Sequence, residues 1–461
     1  MSVSQDLSVL IAQAEFRSLP PEVVEVAKTV ILDGLGVTLA GSVESPARIV
    51  AEYVQEMGGT PQCSVWGHRF KTSPVMAAFA NGVAGHVLDY EVMWHPATHA
   101  TSPTLPGILA LAESQQRSGR EVITALVTGF EVQGRIRVAS ATLNLRGFHP
   151  PGLVGVMGSA AAAAVMLKLP AEQTRMALGI AASRAGGLSA NTGTMTKATH
   201  CGNAGRMGLE AALLAAKGFT GHPDIFEHPA GYVAVCFGEG FALDAVTRDF
   251  GRPYRMVDPG IAIKKHPSQY STHRAIDAAL ELRQTYGIDP AQIAAVRIET
   301  PVMHYTDRGA PQTGLEGKFS FQYTVAAALL DGRIGMETFT DAQVRRPEIA
   351  ALLAKTHLDM NPKIPSNFEE MWTAVSVQMR DGQVYSVRCD RPRGIWGNPM
   401  TREERLAKVR QCAARVLSDA DIEKLIAMVE DLEHASSQDV LALSVLLAQS
   451  PASQRVRPVE S

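Results

Sequence analysis

The stretch GLVGVMGSAAAAAVML, residues 152–167, consists of small and apolar side chains and decides the fold of the first half of the chain. Its glycines and alanines allow neighbouring helices to approach closely, so the run predicts a packed helix in a helical core. Another predicted helix begins at Pro20-Pro21 and ends at Gly41. Proline at the start and glycine at the end are typical of helices. The other predicted helices cover residues 73–89, 103–118, 120–139, 170–188 and 202–217.

The pattern changes near residue 260, where strand-like segments occur between helical ones. Residues 293–302 alternate as a β-strand does, and residues 375–389 predict a hairpin that turns at Asp381-Gly382. Helical patterns occupy residues 271–286, 321–331, 341–355, 402–417, 419–432 and 439–447. The predicted fold class is mainly α, with a large all-helical domain (1–262 and 399–450) and an inserted smaller α+β lid domain (263–398). Residues 451–461 are expected to be a disordered tail.

Length, composition and charge indicate a large globular protein and exclude some classes of partner. The chain has 461 residues, enough for two domains, with 46% hydrophobic and 19% charged residues. A net charge of −3 gives no sign of binding to nucleic acid or to a membrane. We expect a cytoplasmic protein, because the sequence shows no signal peptide and no uncharged apolar span of membrane length. Five scattered cysteines without a C-x-x-C pair support neither a disulfide framework nor a metal cluster.

Titratable side chains are concentrated at a junction between two predicted helices, in the segment Asp89-Tyr90-Glu91-Val92-Met93-Trp94-His95-Pro96-Ala97-Thr98-His99. Two carboxylates and two histidines held at such a junction suit acid–base chemistry on a small anionic substrate. A metal site is the alternative, since His95 and His99 have i, i+4 spacing. Pro96 interrupts a regular helix between them, however, and no third ligand has a recognisable spacing, so the sequence favours acid–base chemistry.

Four further segments carry polar groups close to predicted helices. His149 directly precedes a helix start, whose free N–H groups and partial positive charge suit a carboxylate. Lys197 and His200 lie before the next helix. Lys264-Lys265-His266-Pro267 lies at the entry to the smaller domain, and Phe319-Ser320-Phe321-Gln322-Tyr323 opens a helix within it. Taken alone, each lysine could be a solvated surface charge, but together these segments predict a pocket between the domains.

Most motifs of covalent or cofactor chemistry are missing from the sequence. The loop at residues 186–193 is expected to be flexible and polar, and the Thr194-x-x-Lys197 that follows it only faintly resembles the Ser-x-x-Lys motif of acyl transfer. The sequence has no glycine-rich phosphate loop, no G-x-S-x-G and no H-E-x-x-H. What remains are His, Lys, Asp and Tyr, which can bind carboxylates and move protons.

Five motifs together resemble the MmgE/PrpD family in order and spacing, over about residues 5–450. They are the 89–99 segment, Gly147-Phe148-His149-Pro150, Thr194-Met195-Thr196-Lys197 with Gly202, Lys264-x-x-Pro267 with His273, and Phe319-Ser320-x-x-Tyr323 with Leu330-Asp331-Gly332. The family includes 2-methylcitrate dehydratase, cis-aconitate decarboxylase and iminodisuccinate epimerase. The resemblance implies a large helical domain with a smaller α+β lid, and members that are commonly dimers and need no metal or iron–sulfur cluster.

The resemblance also implies roles for particular residues. By this resemblance, the residues that match active-site positions are Asp89, His99, His149, Lys197, Lys264 and Tyr323. We expect the catalytic residues to be Asp89, His99, His149, Lys197 and Tyr323, and the substrate-binding residues to be Lys264, Lys265, Met93, His95, Thr98 and His200. The implied activity is that of a homodimeric, cofactor-independent and metal-independent lyase acting on a small di- or tricarboxylate. An epimerase or isomerase of a dicarboxylate such as iminodisuccinate, or a catalytically silent family member, is the alternative.

Four positions in or next to this segment depart from the decarboxylase pattern, although Trp94-His95-Pro96-Ala97-Thr98-His99 is closest to it. Met93 stands where Thr is usual, Glu91-Val92 replaces an Asp-Asp pair, and Ala100 stands where Pro usually follows the second histidine. Met93 removes a hydroxyl group and adds bulk at the pocket wall. The substrate, and the choice among decarboxylation, dehydration and epimerisation, therefore stay open.

Overall fold

The chain divides into two compact units in a computed structural model that describes residues 2–94, 96–141, 143 and 145–450. Unit 1 is formed by the chain up to Ile261 and from Thr401 onward, and unit 2 is Ala262–Met400. The sequence placed these boundaries after residues 262 and 398. The described residues are mostly helical, with a two-stranded and a four-stranded sheet, which confirms the predicted fold class. His95 and the predicted tail at residues 451–461 lie outside the described residues.

The N-terminal part of unit 1 consists of consecutive helices. They are α1 (Val3–Ala12), α2 (Pro21–Ser42), α3 (Ser45–Met57), α4 (Pro74–His86), α5 (Thr101–Gln115), α6 (Gly119–Ala139), α7 (Pro150–Leu167), α8 (Ala171–Ala182), α9 (Thr196–Ala216) and the short α10 (Tyr232–Cys236). Strand β1 (Cys63–Ser64) pairs with antiparallel β2 (Lys71–Thr72) between α3 and α4. The prediction that Lys197 and His200 precede the helix was wrong, because α9 begins at Thr196 and its first turns include both residues.

Helix α7 contains the small-residue run and packs against α6 and α9. A Cβ atom on Gly158 would lie 2.6 Å from the Gly129 carbonyl oxygen, and one on Gly208 would lie 2.5 Å from the carbonyl oxygen of Val156. The small residues therefore serve close helix packing, as predicted. The expectation that no apolar span reaches membrane length was wrong, since α7 is long and apolar enough over 18 residues. Its burial in the core of unit 1 accounts for that composition.

Helices α4 and α9 approach closely where a glycine of one helix faces a glycine of the other. A Cβ atom on Gly82 would lie 2.8 Å from the Cα of Gly202, and one on Gly202 would lie 2.7 Å from the Phe79 carbonyl oxygen. A larger residue would collide with the backbone, so glycine is needed here. This contact brings the end of α4, at His86, close to the first turn of α9, which carries Lys197.

Unit 2 is a four-stranded sheet with accompanying helices. In chain order its elements are α11 (Thr272–Tyr286), β3 (Ile293–Thr300), α12 (Gly314–Gly317), α13 (Phe321–Asp331), α14 (Asp341–Val344), α15 (Pro347–Leu353), β4 (Thr356–Met360), β5 (Thr373–Met379) and β6 (Val384–Cys389). The strand order is β4-β3-β5-β6, with β3 parallel to β4 and the other neighbours antiparallel. Strand β3 and the hairpin at Asp381-Gly382 confirm two predictions, while β4 was not predicted.

Helix α11 covers one face of this sheet, where apolar side chains alternate along β3 and β5. Ile298 is paired with Val375, and both side chains are fully buried. The single helix predicted over residues 341–355 is two short helices, because the chain breaks before Pro347, whose ring disfavours a helical residue in front of it.

After unit 2 the chain returns to unit 1 as α16 (Arg402–Ala413), α17 (Asp419–Glu430) and α18 (Ser437–Leu447). Each of the three helices begins at a capping hydroxyl residue: Thr401, Ser418 and Ser436. Helix α16 packs against α2, where the missing side chain of Gly36 leaves room for the backbone of Val409.

Candidate active site

Buried titratable side chains from four chain segments meet within unit 1. We call this group the histidine cluster, and it consists of His86, Asp89, Glu91, His99, His149, Lys197 and His200. The segments are the end of α4, the connection from α4 to α5, the residue before α7 and the first turns of α9. All seven residues are less than one-tenth exposed, so their mutual interactions are only weakly screened by water.

A continuous series of polar contacts passes through the cluster. Lys197 Nζ lies 3.3 Å from Asp89 Oδ1, and the same oxygen lies 3.4 Å from His99 Nε2. His99 Nδ1 lies 3.3 Å from Glu91 Oε1, which in turn lies 2.6 Å from His86 Nδ1. One ammonium group, two carboxylates and two imidazoles therefore alternate, an arrangement that can hold or transfer a proton.

His149 and His200 form a second arm of the cluster. Their Nδ1 atoms lie 3.2 Å apart, so one nitrogen donates a hydrogen and the other accepts it. Burial, and next the nearby Lys197 ammonium, hold the pKa of His86 and of His149 well below the usual histidine range. The same two causes lower the pKa of His200. His86 and His149 are therefore neutral at physiological pH and can accept a proton.

The turn after α4 places the carboxylates next to the histidines. Asp89 has a φ of 51°, in the left-handed region that residues other than glycine rarely adopt. Its backbone N–H donates to the His86 carbonyl oxygen at 2.9 Å, which closes the turn. Such a conformation costs about 1–3 kcal/mol and is typical of functional sites, where the surrounding structure maintains it.

The start of α7 differs from the sequence-based expectation. His149 precedes the helix, as predicted, but Pro150 and Pro151 have no N–H group and Gly152 N–H donates to the His149 carbonyl oxygen. The expectation that free N–H groups here hold a carboxylate was therefore wrong at these three positions. Lys197 is the cation that the cluster itself offers to an anionic substrate.

The loop before α9, expected to be flexible, is attached to the start of α7 by backbone hydrogen bonds. Gly186 N–H donates to the Gly152 carbonyl oxygen, His149 N–H donates to Gly187, and Ser189 N–H donates to Gly147. A Cβ atom on Gly187 would also lie 2.9 Å from the His200 ring. The loop therefore helps to fix both histidines of the second arm.

Two predicted substrate-binding residues lie in the same α4–α5 connection. Thr98 is buried, and its hydroxyl has no hydrogen-bond partner among the described residues, as is also true of the Trp94 indole N–H. A buried donor without a partner costs about 1–3 kcal/mol, which a substrate oxygen or a water molecule would recover. The side chain of Met93 is also buried.

The remaining predicted site residues belong to unit 2. Lys264 is buried and donates to the Ser268 carbonyl oxygen, and Tyr323 is buried with its hydroxyl donating to the Thr338 carbonyl oxygen. Lys265 is partly exposed. The hydrogen bond of the Tyr323 hydroxyl stays within unit 2. The meeting of these three residues with Lys197 stays a prediction.

Three members of the cluster could also hold a metal ion. One ligand atom each of His86, Glu91 and His99 lie within 4.8 Å of one another, and zinc binds such nitrogen and oxygen ligands. A hydrogen bond already joins His86 and Glu91, however, and the Lys197 ammonium beside Asp89 disfavours a second cation. The geometry fits proton transfer better than metal binding.

The sequence did not predict His86 as a site residue, nor the contact between His86 and Glu91. His86 is the last residue of an apolar helix, and its five-residue separation from Glu91 matches no motif of a dyad. The signal that could have found it is a histidine at the end of a buried helix directly before an acidic segment.

Both halves of the chain match domains of one protein family. Residues 5–243 match the MmgE/PrpD N-terminal domain, and residues 266–434 match the MmgE/PrpD C-terminal domain. The cis-aconitate decarboxylase of Homo sapiens is 34% identical over 98% of this chain and 95% of its own length, and that of Mus musculus is 34% identical over 95% and 92%. The 2-methylcitrate dehydratase of Escherichia coli K12 is 28% identical over 68% and 70%.

Decarboxylases and dehydratases are both lyases, so these relatives identify the chain as a lyase. Both domains of one family are matched in order, and the two mammalian relatives align over nearly the whole chain. The chain belongs to the MmgE/PrpD family.

Proposed function

We propose that this protein is a cofactor-independent lyase that removes CO₂ or water from a small tricarboxylate or dicarboxylate, with the histidine cluster as its proton-transfer group. The observation that carries the proposal is the series of contacts from Lys197 through Asp89, His99 and Glu91 to His86. Two relatives at 34% identity are cis-aconitate decarboxylases, which supports a tricarboxylate as the substrate.

Lys197 has the properties required to bind a substrate carboxylate. Its side chain is 11% exposed, and an anion that enters such a site without a cation loses much of its hydration free energy. Loss of CO₂ from an unsaturated acid leaves a dienolate, and loss of a proton next to a carboxylate leaves a related anion. A well-placed donor stabilises such developing charge by about 3–4 kcal/mol.

The neutral histidines supply the proton transfer. In dehydration or epimerisation, His149 can accept a proton from carbon and return it to the leaving hydroxide or to the carbon. After loss of CO₂, the dienolate carbon instead takes up a proton, which His149 can pass on after receiving it from water. His200 contacts His149, with the two Nδ1 atoms 3.2 Å apart. His99 lies between Asp89 and Glu91, with one ring nitrogen 3.4 Å and the other 3.3 Å from a carboxylate oxygen. Either carboxylate also stabilises a transient positive charge on that ring.

Met93 favours a second candidate, an epimerase or isomerase of a dicarboxylate. The buried methionine stands at the position where the decarboxylase pattern has a hydroxyl group. The same histidines could exchange a proton on one carbon without loss of CO₂ or water. Cytoplasmic location and a homodimeric state stay predictions for either activity.

One experiment distinguishes these activities. The protein is incubated in D₂O with cis-aconitate, 2-methylcitrate, citrate or iminodisuccinate and followed by NMR. Loss of CO₂ or formation of an alkene supports the lyase, whereas deuterium uptake with inversion supports the epimerase. Lack of any reaction with all four acids would overturn both proposals.

Two controls belong to the same experiment. Prior treatment with EDTA should leave the rate unchanged, and a lost rate that zinc restores would contradict cofactor independence. Lys197→Met should lower turnover by about 100-fold or more. Lys168→Met, which removes an exposed lysine paired with Glu121, should not.

A further inference from the structure

The backbone directly before Glu91 is held by a buried ion pair from distant parts of unit 1. Lys408 of α16 and Asp33 of α2 lie 2.6 Å apart, and their side chains are 3% and 5% exposed. Lys408 Nζ also donates to the Tyr90 carbonyl oxygen at 2.9 Å and lies 4.0 Å from the centre of the Tyr90 ring. One ammonium group thus contacts both the backbone and the side chain of the residue before Glu91.

Asp33 holds the Lys408 ammonium group against Tyr90. Burial raises the pKa of Asp33, and the neighbouring Lys408 opposes that rise. The ion pair between α2 and α16 therefore fixes the chain at Tyr90, directly before Glu91.

We propose that Lys408 and Asp33 are positioning residues, which fix the Glu91 carboxylate between His86 and His99. The C-terminal helix α16 thereby controls the geometry of proton transfer, although it contributes no residue to the histidine cluster. The inference rests on the proposed function, because its kinetic consequence is a change in turnover. Its structural consequence, a fixed Glu91, can be measured without a substrate.

Unit 1 contains another buried lysine, Lys28, that serves as a control for Lys408. Lys28, also on α2, is buried, forms ion pairs with Glu25 and Glu433, and donates to the Glu430 carbonyl oxygen. It therefore joins α2 to the C-terminal segment with the same kinds of contact that Lys408 makes. The contacts of Lys28 lie away from residues 90–92, so its removal perturbs packing without moving Glu91.

The kinetic test compares Lys408→Met with Lys28→Met, with folding monitored by circular dichroism. Lys408→Met should lower kcat by about 10- to 100-fold, since small misplacements of a catalytic group have effects of this size. Its KM should stay within about 2-fold of the wild-type value, since substrate contacts remain. Lys28→Met should keep its kcat. An equal loss of kcat in both variants would mean that Lys408 acts through general stability and would overturn the inference.

A double variant distinguishes an effect on the position of Glu91 from an effect on the stability of the protein. It also provides a test if Lys408→Met fails to fold. Asp33→Leu with Lys408→Met leaves no unpaired buried charge, so it should fold and regain stability. Its kcat should stay low, because no ammonium group then holds Tyr90. Recovery of wild-type kcat along with stability would overturn the inference.

NMR of the histidine rings supplies the readout that needs no substrate. The double variant should shift the imidazole signals of His86 and His99 and leave those of exposed His434 unchanged. Unchanged signals of His86 and His99 would refute the positioning role even in an active enzyme. If the wild-type protein converts none of the four acids, the proposed function fails, and the ring signals still decide whether Lys408 positions Glu91.

Discussion

Glu91 Oε1 lies 2.6 Å from His86 Nδ1, and both side chains are 1% exposed. A neutral imidazole in this contact carries its hydrogen on Nδ1 and donates it to the carboxylate. His86 Nε2 has no hydrogen-bond partner among the described residues. Its lone pair can therefore accept a proton. Glu91 thus selects the tautomer in which His86 can act as a base.

Glu91→Gln is expected to lower kcat by about 100-fold, the lower end of what a general base contributes. The amide is neutral and has nearly the same shape, so it no longer stabilises a positive charge on either His86 or His99. Measurement of kcat for the acid that the wild-type enzyme converts, with folding checked by thermal denaturation, tests this expectation.

Glu113→Gln is the matched control for that variant. Glu113 is also a buried carboxylate of unit 1, but it accepts hydrogen bonds from the N–H and hydroxyl of Ser64. Its variant should lose stability and keep kcat within about 2-fold. If both variants had the same kcat, Glu91 would have no special part in turnover.

Much of the fold could be predicted because local patterns determine it. The small-residue run of α7 permits only close helix packing, and the alternation along β3 and β5 requires one buried face. Strand β4 at one edge of the sheet escaped prediction, although β6 at the other edge was predicted. The partly exposed side chains of β4 show little alternation.

The candidate site could be predicted only in part, because its remaining contacts are between distant parts of the chain. His149 and Lys197 were identified from their positions beside helix starts. The role of His86 depends on the left-handed turn at Asp89, which no residue pattern reveals. Lys408 lies in the polar helix α16 and would be taken for a surface residue until its 2.6 Å contact with Asp33 is seen.

The stability of the protein should fall as the pH falls below about 6.5. The pKa values of His86 and His149 lie well below 6.5 in the folded state, so the unfolded chain binds protons there that the folded chain does not. The free energy of unfolding therefore decreases on acidification by up to about 1.4 kcal/mol per pH unit for each histidine, and these rings contribute no slope above that range. Urea denaturation at several pH values measures this slope.

Removal of one buried ring should reduce that dependence on pH. His149→Gln loses one titrating group, so its free energy of unfolding should decline less steeply below about pH 6.5 than that of the wild-type protein. His434→Gln, at a side chain 64% exposed, is the control and should keep the wild-type slope. A wild-type slope in His149→Gln would show that its ring is not held neutral.

Tyr323→Phe tests whether this tyrosine has a structural or a catalytic role. Its hydroxyl donates to the Thr338 carbonyl oxygen inside unit 2, so its loss should reduce the free energy of unfolding by about 0.5–1.5 kcal/mol. The value of kcat should be unchanged. A large loss of kcat with wild-type stability would instead favour the catalytic role that the family resemblance implies.

Met93→Thr should change which acid the enzyme prefers. The buried methionine has no donor for a substrate oxygen, and threonine would restore the hydroxyl group that the decarboxylase pattern has at this position. We expect kcat/KM for cis-aconitate, relative to 2-methylcitrate, to rise by about 10-fold or more, since a buried site with a hydrogen-bonding group discriminates strongly between substrates. Met93→Leu keeps the bulk and adds no donor, so it should retain the wild-type ratio. If both variants changed the ratio equally, the size of residue 93, and not its missing hydroxyl, would determine the substrate.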